Sequence, residues 1–248
     1  MKAMVLAAGL GTRLRPLTND RPKALVEAGG RTLLEITLTR LRDFGIRDVI
    51  INVHHYADMV IDRMKAAGDL GMHIEFSRED ILLDTGGGLK QAAWFLGSNS
   101  GAQEDPFVLH NVDVISSIDL QRMVEVHKES HALATLAVQE RKSSRYLLFD
   151  EQGRLCGRRL VKEEKTEVVR TSRQMTELAF SGIHVISPRI FSLLSEQGVF
   201  SIIPAYLRLA AQGEKIMAFR ADEYYWRDLG KPENIRQVEL DIKANLVQ

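Results

Sequence analysis

The chain carries a short glycine-rich segment and two basic residues close to its start. Gly9 and Gly11 follow an apolar run, residues 3–8, and Arg13 and Lys23 come shortly afterwards. Glycine lets backbone N–H groups approach an anion without obstruction by a Cβ atom. Lysine supplies a compact charge and arginine a fork of donors, so the two side chains could converge on a polyphosphate. The spacing therefore predicts a phosphate-binding loop.

This segment matches neither of two familiar phosphate-binding motifs. No G-x-x-x-x-G-K-[ST] sequence is present, and Gly9-x-Gly11 lacks the third glycine of the dinucleotide fingerprint. On glycine spacing alone, an ordinary turn between a strand and a helix, with solvated charges, is an equal alternative.

Two aspartates, far apart in sequence, each follow a short segment with strand character. Asp113 comes after the apolar residues 107–110, and Asp228 follows Trp226 and Arg227. Carboxylates at the ends of strands are hard oxygen ligands for Mg²⁺, whose octahedron phosphate oxygens and water can complete. An isolated aspartate after a strand is also a common cap or turn residue, so residue type alone does not decide between the two interpretations.

The elements that must position these side chains alternate between strands and helices. Apolar residues recur at helical spacing over residues 33–44 and 57–67, and residues 49–53 and 73–76 have strand character. This βαβαβ order predicts an α/β fold, a Rossmann-like mixed, mostly parallel sheet with helices on both faces. Ligands of such sheets bind beyond the carboxyl ends of the strands, where the Gly9 loop falls.

The rest of the chain continues this alternation. Residues 84–88, Asp-Thr-Gly-Gly-Gly, precede a predicted helix over 89–96, and the highly charged residues 162–175 predict either a mobile loop covering a site or a solvated connection. The remaining predicted elements are a strand over 107–110, a helix over 120–130, a strand over 132–138, a hairpin over 146–158, a strand over 178–186, a helix over 202–211, a strand over 216–219 and a helix over 233–245.

Composition limits the classes of function. The 248 residues include 33 acidic and 33 basic side chains, so no net charge attracts nucleic acid or an anionic membrane. The single cysteine, Cys156, excludes an internal disulfide and a cysteine-based zinc cluster. Neither an 18-residue apolar span nor a signal-like N-terminus is present. These features predict a soluble, cytoplasmic protein with one large domain.

The string LAAGLGTRLRPLT, with PKALV ten residues on from Arg13, resembles the signature of the sugar-1-phosphate nucleotidylyltransferases. Later motifs recur in the expected order as far as Asp228, so the resemblance covers nearly the whole chain. The short chain is similar to the N-acetylmuramate 1-phosphate uridylyltransferase type. The resemblance implies one nucleotidyltransferase domain over residues 1–248, with a nucleotide-binding part over about 1–113, a sugar-binding part over about 114–230 and a C-terminal helix over about 233–245.

The resemblance also implies roles for individual residues. Arg13 and Lys23 are the expected catalytic cations, and Asp113 and Asp228 the expected Mg²⁺ ligands. The expected nucleotide-binding residues are Ala7, Ala8, Gly9, Gly11, Thr12, Arg13 and Lys23, with Gly86, Gly87 and Gly88 facing the base. The expected sugar-binding residues are Asn111, Gly157, Ser181 and Gly182. A Glu-Lys pair contacts the sugar in longer relatives; Glu164 and Lys165 are its candidate counterpart, with a solvated charge pair as the alternative.

Two positions depart from the family pattern. Val112 stands between Asn111 and Asp113 where glycine is common, and Ala24 replaces a second proline. If the backbone at position 112 requires a conformation that glycine allows and β-branched residues avoid, valine at this position would displace Asp113.

The implied reaction joins a nucleoside triphosphate, UTP by preference, to a sugar 1-phosphate of the N-acetylmuramate or N-acetylglucosamine type, in a monomer or small homo-oligomer. The alternatives are GTP with a mannose- or heptose-type phosphate, a phosphocholine substrate surrounded by Tyr224, Tyr225 and Trp226, and a silent regulatory module that binds a nucleotide sugar.

Overall fold

The computed structural model describes residues 1–68, 70–97, 105–244 and 246. Fourteen strands occur in these ranges: β1 Lys2–Leu6, β2 Glu27–Ala28, β3 Arg31–Thr32, β4 Asp48–Val53, β5 His73–Arg78, β6 Phe107–Asn111, β7 Val114–Ser116, β8 Ala134–Gln139, β9 Arg145–Phe149, β10 Leu155–Leu160, β11 Lys165–Val168, β12 Thr176–Ile186, β13 Ile216–Arg220 and β14 Trp226–Asp228.

Helices alternate with these strands along the chain. The same ranges contain eight α-helices: α1 Leu33–Asp43, α2 Ala57–Ala67, α3 Asp84–Gln91, α4 Ala93–Leu96, α5 Leu120–Ser130, α6 Ile190–Leu193, α7 Ile202–Ala211 and α8 Pro232–Lys243. Two short 3₁₀ helices, Thr12–Leu14 and Lys23–Leu25, follow β1. The predicted final helix extended to Asn245, which lies outside the described residues.

The central sheet has ten strands and is mixed. Its main path runs β11-β10-β9-β12-β6-β1-β4-β5, with β8 paired to β12 and β13. The strands β6, β1, β4 and β5 run parallel to one another, whereas β12 is antiparallel to β6. The predicted α/β fold with a mixed sheet is therefore confirmed.

Alternating burial along the strands places a hydrophobic core on each face of the sheet. In β1, Ala3 and Val5 pack into one cluster with α1, α2, α5 and α8. Met4 packs into the other cluster, with residues of α3, α4, α6 and α7. Successive side chains of a strand point to opposite faces, so a strand buried on both faces is apolar throughout. Within the described ranges, no helix has both the length and the apolar character needed to cross a membrane.

Two sequence-based expectations for secondary structure were wrong. The helix predicted over 89–96 begins earlier, at Asp84, and is interrupted between α3 and α4. The charged stretch 162–175 contains a strand, β11, which pairs antiparallel with β10. β11 lies at the edge of the sheet, where exposed charged side chains are tolerated and discourage pairing with another chain. The charged composition of this edge strand is therefore like that of a loop, which explains why no strand was expected here.

Candidate active site

The loops that follow β1 and β6 lie side by side because these strands are parallel neighbours. Leu6 and Asn111 are register partners at the carboxyl ends of the two strands. The backbone N–H of Ala7 donates to Oδ1 of Asn52, at 2.7 Å, and the N–H of Val112 donates to the carbonyl of Leu6, at 3.2 Å. The first glycine loop and the first aspartate motif are thus held together at one edge of the sheet.

A two-stranded sheet brings Asp228 to the same place. β14 pairs antiparallel with β7, with Asp228 opposite Val114. The N–H of Leu229 donates to the carbonyl of Asp113, at 2.7 Å, and Oδ1 of Asp228 accepts from the N–H of Gly230. Both carboxylates line a single cavity. The pairing of two short strands therefore unites aspartates that are distant in sequence.

Lys23 lies directly against the first of these aspartates, Asp113. Its ammonium group donates to Oδ2 of Asp113, and only 11% of the Lys23 side chain is exposed. The backbone of the 3₁₀ helix Lys23–Leu25 holds the residue, with the N–H of Val26 bonded to the carbonyl of Lys23. A charge-assisted contact between mostly buried groups is stronger than one in water.

Arg13 lies close to Asp228 and lines the same cavity. Gly230 separates the two groups: a Cβ atom at Gly230 would lie 2.6 Å from Oδ1 of Asp228 and 3.0 Å from Nη2 of Arg13. The preceding loop is fixed by Thr18, whose hydroxyl donates to the carbonyl of Gly11 at 2.8 Å, and Gly11 has a φ of 64° that favours glycine. Thr12 is exposed at the start of the first 3₁₀ helix.

Two adjoining cavities meet at these residues. The first, of about 490 Å³, is lined by Ala7, Ala8, Gly9 and Lys23 among others. The second, of about 870 Å³, is lined by Arg13, Ser181, Gly182 and Asp228 among others. Asp84, Asn111 and Asp113 line both. Such a junction can hold two anionic ligands with their phosphates facing each other, next to cations that offset the charge.

The floor of the first cavity holds a buried polar pair that sequence reasoning missed. Nδ2 of Asn52 donates to Oε1 of Glu79, at 2.7 Å, and Oε2 of Glu79 accepts from the N–H of Leu83, at 2.9 Å. Both side chains are buried and line the cavity. Each follows or ends a parallel strand, β4 or β5, and this is the signal that could have identified them.

The three glycines of α3 are packing positions in this structure. Gly86 and Gly87 donate their N–H groups to the carbonyl of Phe200, at 2.9 and 3.1 Å, which satisfies donors that a helix start leaves free. A Cβ at Gly87 would lie 2.4 Å from the carbonyl oxygen of Gly198, and one at Gly88 would lie 2.6 Å from Oε1 of Glu79. The described cavity walls include Asp84 and Thr85 but none of the three glycines.

Val112 fits its position in the aspartate motif. It is buried in the core cluster that contains α1, and it is not among the described non-glycine residues with positive φ. The backbone here therefore does not need the glycine that is common in the family. Asp84 does have positive φ, 59°, at the junction of the cavities.

The expected sugar-binding residues divide into two groups. Asn111, Ser181 and Gly182 line the second cavity, and a Cβ at Gly182 would lie 2.9 Å from Nδ2 of Asn111. Gly157 is not in the described walls of either cavity: it lies in β10, where a Cβ would be 2.2 Å from the carbonyl oxygen of Glu167. Its lack of a side chain serves the close approach of β10 to β11.

The charged segment before β11 contributes different residues from those expected. Lys162 and Glu163 line the second cavity. Glu164 has a φ of 49° in the turn, and Lys165 begins β11 with an exposed side chain.

Sequence reasoning also missed Arg141, which stacks on Trp226 in the second cavity. The guanidinium carbon lies 3.7 Å from the ring centroid. Burial lowers the pKa of Arg141, and the charge of Asp228 partly counteracts this effect. The two tyrosines that precede Trp226 in the chain make other contacts. Tyr224 stacks on Phe219, and the hydroxyl of Tyr225 donates to Asp241.

The donor set suits a metal that takes most of its ligands from the substrate. In the described residues, no group of three or more His, Cys, Asp or Glu side chains could hold a metal ion. Asp113 and Asp228 offer carboxylate oxygens on one cavity wall. Mg²⁺ is commonly bound by one or two carboxylates together with substrate phosphates and water. The residues present therefore fit Mg²⁺ in that manner.

Comparison with known proteins gives consistent findings. A family model described as nucleotidyl transferase matches residues 2–245. The N-acetylmuramate alpha-1-phosphate uridylyltransferase of Caulobacter vibrioides is 34% identical over 99% of this chain and 97% of its own. A mannose-1-phosphate guanyltransferase of Yarrowia lipolytica is 31% identical over 94% of this chain, which spans 62% of that protein. The crystal structure of HddC from Yersinia pseudotuberculosis, complexed with GMP-PN, superposes with a TM-score of 0.76 at 23% identity, over 97% of this chain and 99% of that one.

Proposed function

The chain belongs to the nucleotidyl transferase family, among the sugar-1-phosphate nucleotidylyltransferases, and on that premise we propose UTP and an N-acetylmuramate- or N-acetylglucosamine-type sugar 1-phosphate as its substrates. The carrying observation is the convergence of Arg13, Lys23, Asp113 and Asp228 where the two cavities meet. The triphosphate would occupy the first cavity and the sugar phosphate the second.

The reaction is an in-line displacement at the α-phosphorus. An oxygen of the sugar phosphate attacks this phosphorus and forms a new P–O bond, the bond to the β-phosphate breaks, and pyrophosphate leaves. A phosphate monoester is already an anionic nucleophile, so the protein needs no strong base. Its task is to hold two mutually repelling anions in line and to offset the charge of the transition state.

Lys23 and Arg13 are placed for that task. Lys23 lines the first cavity beside Asp113, and Arg13 lines the second beside Asp228. Lys23 would neutralise the region of the α-phosphate, and Arg13 would hold phosphate oxygens with its fork of donors. Gly9 leaves the backbone open towards the first cavity, because a Cβ there would meet nothing within 4 Å. A phosphate can therefore approach the loop closely.

Asp113 and Asp228 would hold Mg²⁺ together with phosphate oxygens. Bound there, Mg²⁺ would supply Lewis-acid stabilisation of the phosphate charge. Leu229 and Gly230 donate N–H groups to the carbonyl of Asp113 and to the carboxylate of Asp228, so the two residues are held in place before any ligand arrives.

UTP with an amino-sugar phosphate is preferred because similarity to the uridylyltransferase of Caulobacter vibrioides extends over almost the full length of both chains. GTP with mannose 1-phosphate is the second candidate, since the guanyltransferase of Yarrowia lipolytica is 31% identical. That candidate has less support because the chain spans 62% of the guanyltransferase.

Two further alternatives have less support from the geometry. A quaternary ammonium group needs a free aromatic face, and Arg141 already covers one face of Trp226. A silent regulatory module was suggested by Val112, whose backbone does not need glycine.

We also propose that the chain acts as one domain in the cytoplasm, where nucleoside triphosphates and sugar phosphates are available. The ten-stranded sheet supports the single domain because it joins strands of the nucleotide-binding part, such as β1 and β4, to strands of the sugar-binding part, such as β9 and β10.

The deciding experiment measures pyrophosphate release with Mg²⁺, each nucleoside triphosphate in turn, and the 1-phosphates of N-acetylmuramate, N-acetylglucosamine, glucose and mannose. We expect release with UTP and an amino-sugar phosphate, and loss of release when a chelator is added. Release with GTP and mannose 1-phosphate would support the second candidate. Nucleotide binding without turnover for every pair would contradict the proposal and support the regulatory module.

A further inference from the structure

Arg141 is a fixed cation in the wall of the second cavity. The guanidinium carbon lies over the ring of Trp226, 3.7 Å from the ring centroid. Its Nη2 donates to the carbonyl of Phe180, at 2.7 Å. Trp226 is itself anchored, because its indole N–H donates to the carbonyl of Ser181, at 2.7 Å. Both contacts are made to neighbouring residues of β12, so the stacked pair is held before a ligand binds.

Arg141 forms no salt bridge in the described part of the chain, although the charge of Asp228 acts on it. Its Nε is buried without a hydrogen bond. An arginine has five N–H donors, of which this one uses a single donor within the protein. A partly buried cation without a salt bridge is costly in a cleft, and a ligand that brings an anion to it would lower this cost.

The wall around Arg141 is more basic than the rest of the cavity. Arg145, Arg158 and Lys162 also line it, with Glu163 as the acidic residue on these segments. Arg158 is already paired with Glu167, at 2.8 Å. Arg145 and Lys162 are exposed, so solvent screens them more than it screens Arg141. Arg141 is therefore the group on this wall best placed to hold an anion.

The phosphate of the sugar substrate has other cations available to it. Arg13 lies beside Gly230 and Asp228, and Lys23 lies on Asp113. A sugar with only hydroxyl groups would leave the basic wall without a partner. A sugar that also carries a carboxylate would bring a second anion, which Arg141 could bind.

We infer that Arg141, held on Trp226, binds a carboxylate of the sugar 1-phosphate and makes the enzyme selective for acidic sugars. This inference rests on the proposed function, because the second cavity is taken as the sugar site. The competing assignment is that Arg141 binds the phosphate that every such substrate carries.

The test uses two substrates that differ by one carboxylate. N-acetylmuramate 1-phosphate is N-acetylglucosamine 1-phosphate with a lactyl ether, and kcat and KM are measured for both with the nucleotide that supports turnover. We expect the wild type to prefer the acidic member. Arg141→Gln should lose about 10- to 100-fold in kcat/KM for the acidic member, because a hydrogen bond to a charged group is lost, and less than about threefold for the neutral one.

The control is Lys142→Gln, which removes an exposed cation from the neighbouring position, outside the described walls of the cavity. We expect it to leave both substrates unaffected. Arg141→Lys keeps the charge but not the planar fork, so it should restore only part of the discrimination. A second pair, the 1-phosphates of glucuronate and glucose, tests whether a carboxylate elsewhere on the ring is also accepted.

Two results would overturn the inference. Equal losses on the acidic and neutral members would assign Arg141 to the shared phosphate. A wild-type preference for the neutral members of both pairs would remove the acidic substrate, while the proposed transfer reaction would still stand. If Arg141 variants fail to fold, the wild-type preference alone decides.

A failure of the proposed function is distinguishable from these results. In that case no nucleotide gives pyrophosphate with any sugar phosphate. Calorimetric binding of the two amino-sugar phosphates to the wild type and Arg141→Gln then tests the inference without turnover. Tighter binding of the acidic member by the wild type, lost in the variant, supports it, and equal binding overturns it.

Discussion

The ammonium group of Lys23 donates a hydrogen bond to the carboxylate of Asp113, which lies 90 positions further along the chain. The exposed fractions of the two side chains are 11% and 17%. Each charge is therefore compensated mainly by the other in the absence of ligands. Removing either one leaves a mostly buried charge without its partner, so variants of this pair must be tested for folding as well as for activity.

Lys23→Met should lower kcat/KM for pyrophosphate release by about 100- to 1,000-fold, because a preorganised group that offsets charge in the transition state is lost. Lys65→Met is the matched control, since Lys65 is exposed on α2. Thermal unfolding of both variants separates a loss of stability from a loss of catalysis. Wild-type turnover in a folded Lys23→Met protein would contradict the role given to Lys23.

Asp113→Asn and Asp228→Asn should each reduce turnover by at least about 100-fold, because Lewis-acid stabilisation is worth several kcal/mol. Asparagine keeps the shape of both residues, but Asp113→Asn leaves the mostly buried charge of Lys23 without its partner, so thermal unfolding of both variants is measured beside turnover. Mn²⁺ binding in the presence of the nucleotide, followed by electron paramagnetic resonance, should weaken in both variants. Asp62→Asn, on the exposed side of α2, should bind the ion normally. Unchanged Mn²⁺ binding in the two variants would remove these aspartates from the metal site.

Gly9→Ala and Gly87→Ala make the same chemical change but should affect different properties, nucleotide affinity in the first variant and stability in the second. At Gly87 a Cβ would lie 2.4 Å from the carbonyl oxygen of Gly198, so we expect a loss of about 1–3 kcal/mol in the free energy of unfolding. At Gly9 a Cβ would meet nothing within 4 Å of the protein but would face the first cavity. Gly9→Ala should therefore weaken nucleotide binding at unchanged stability. Urea denaturation and calorimetric nucleotide titration check both, and equal stability losses would be evidence against this assignment.

Val112→Gly should destabilise the protein without raising its activity. Val112 is 4% exposed and packs in the core, so the change removes a buried side chain and adds backbone freedom, at a cost of about 2–4 kcal/mol. Turnover per folded molecule should not increase, because the backbone at this position does not require glycine. Urea denaturation and pyrophosphate release provide the measurement. A large gain in turnover would show that valine impairs the metal site.

The stability of the protein should fall below about pH 6.5. Burial lowers the pKa of His110 and of His127 to about 4, and that of His184 to about 3. In the unfolded chain these histidines take up protons near pH 6.5, whereas in the folded protein they stay neutral down to their lowered pKa values. Their contribution is therefore fully present above pH 6.5 and is lost as the pH falls towards 4, by about 1.4 kcal/mol per pH unit for each histidine.

The measurement is urea denaturation at a series of pH values between 7 and 5, for the wild type and two variants. His127→Gln should show a shallower pH dependence than the wild type because it removes one buried histidine. His55→Gln removes an exposed histidine, so its pH dependence should be unchanged. Parallel curves for all three proteins would show that His127 does not contribute.

Local signals were enough to predict the fold class, and they placed part of the candidate site at one edge of the sheet. Apolar runs that end in glycine or aspartate mark the carboxyl ends of strands, and Gly9, Asn111 and Asp113 all lie at that edge. Helical spacing identified α1, α2, α5 and α7 within a residue or two. These features are set by residues that are close together in the chain, so they can be recognised in the sequence.

Other features depended on contacts that sequence spacing does not encode. A glycine can serve a ligand or a neighbouring backbone, and only the position of the Gly198–Phe200 segment shows that Gly86 and Gly87 serve the backbone. The pairing of β10 with β11 is a similar case. It determines that residues 165–168 form a strand and that Gly157 faces a neighbouring backbone.

The sequence by itself predicted the alternation of the main strands and helices and the candidate residues for binding phosphate and metal. The tertiary structure alone decided which of these residues meet. The β7–β14 pairing joins Asp228 to Asp113, and the stacking of Arg141 on Trp226 creates a fixed cation in the cleft. These contacts form only when the whole sheet has assembled, because burial and strand register, which act over long separations, determine which side chains become neighbours.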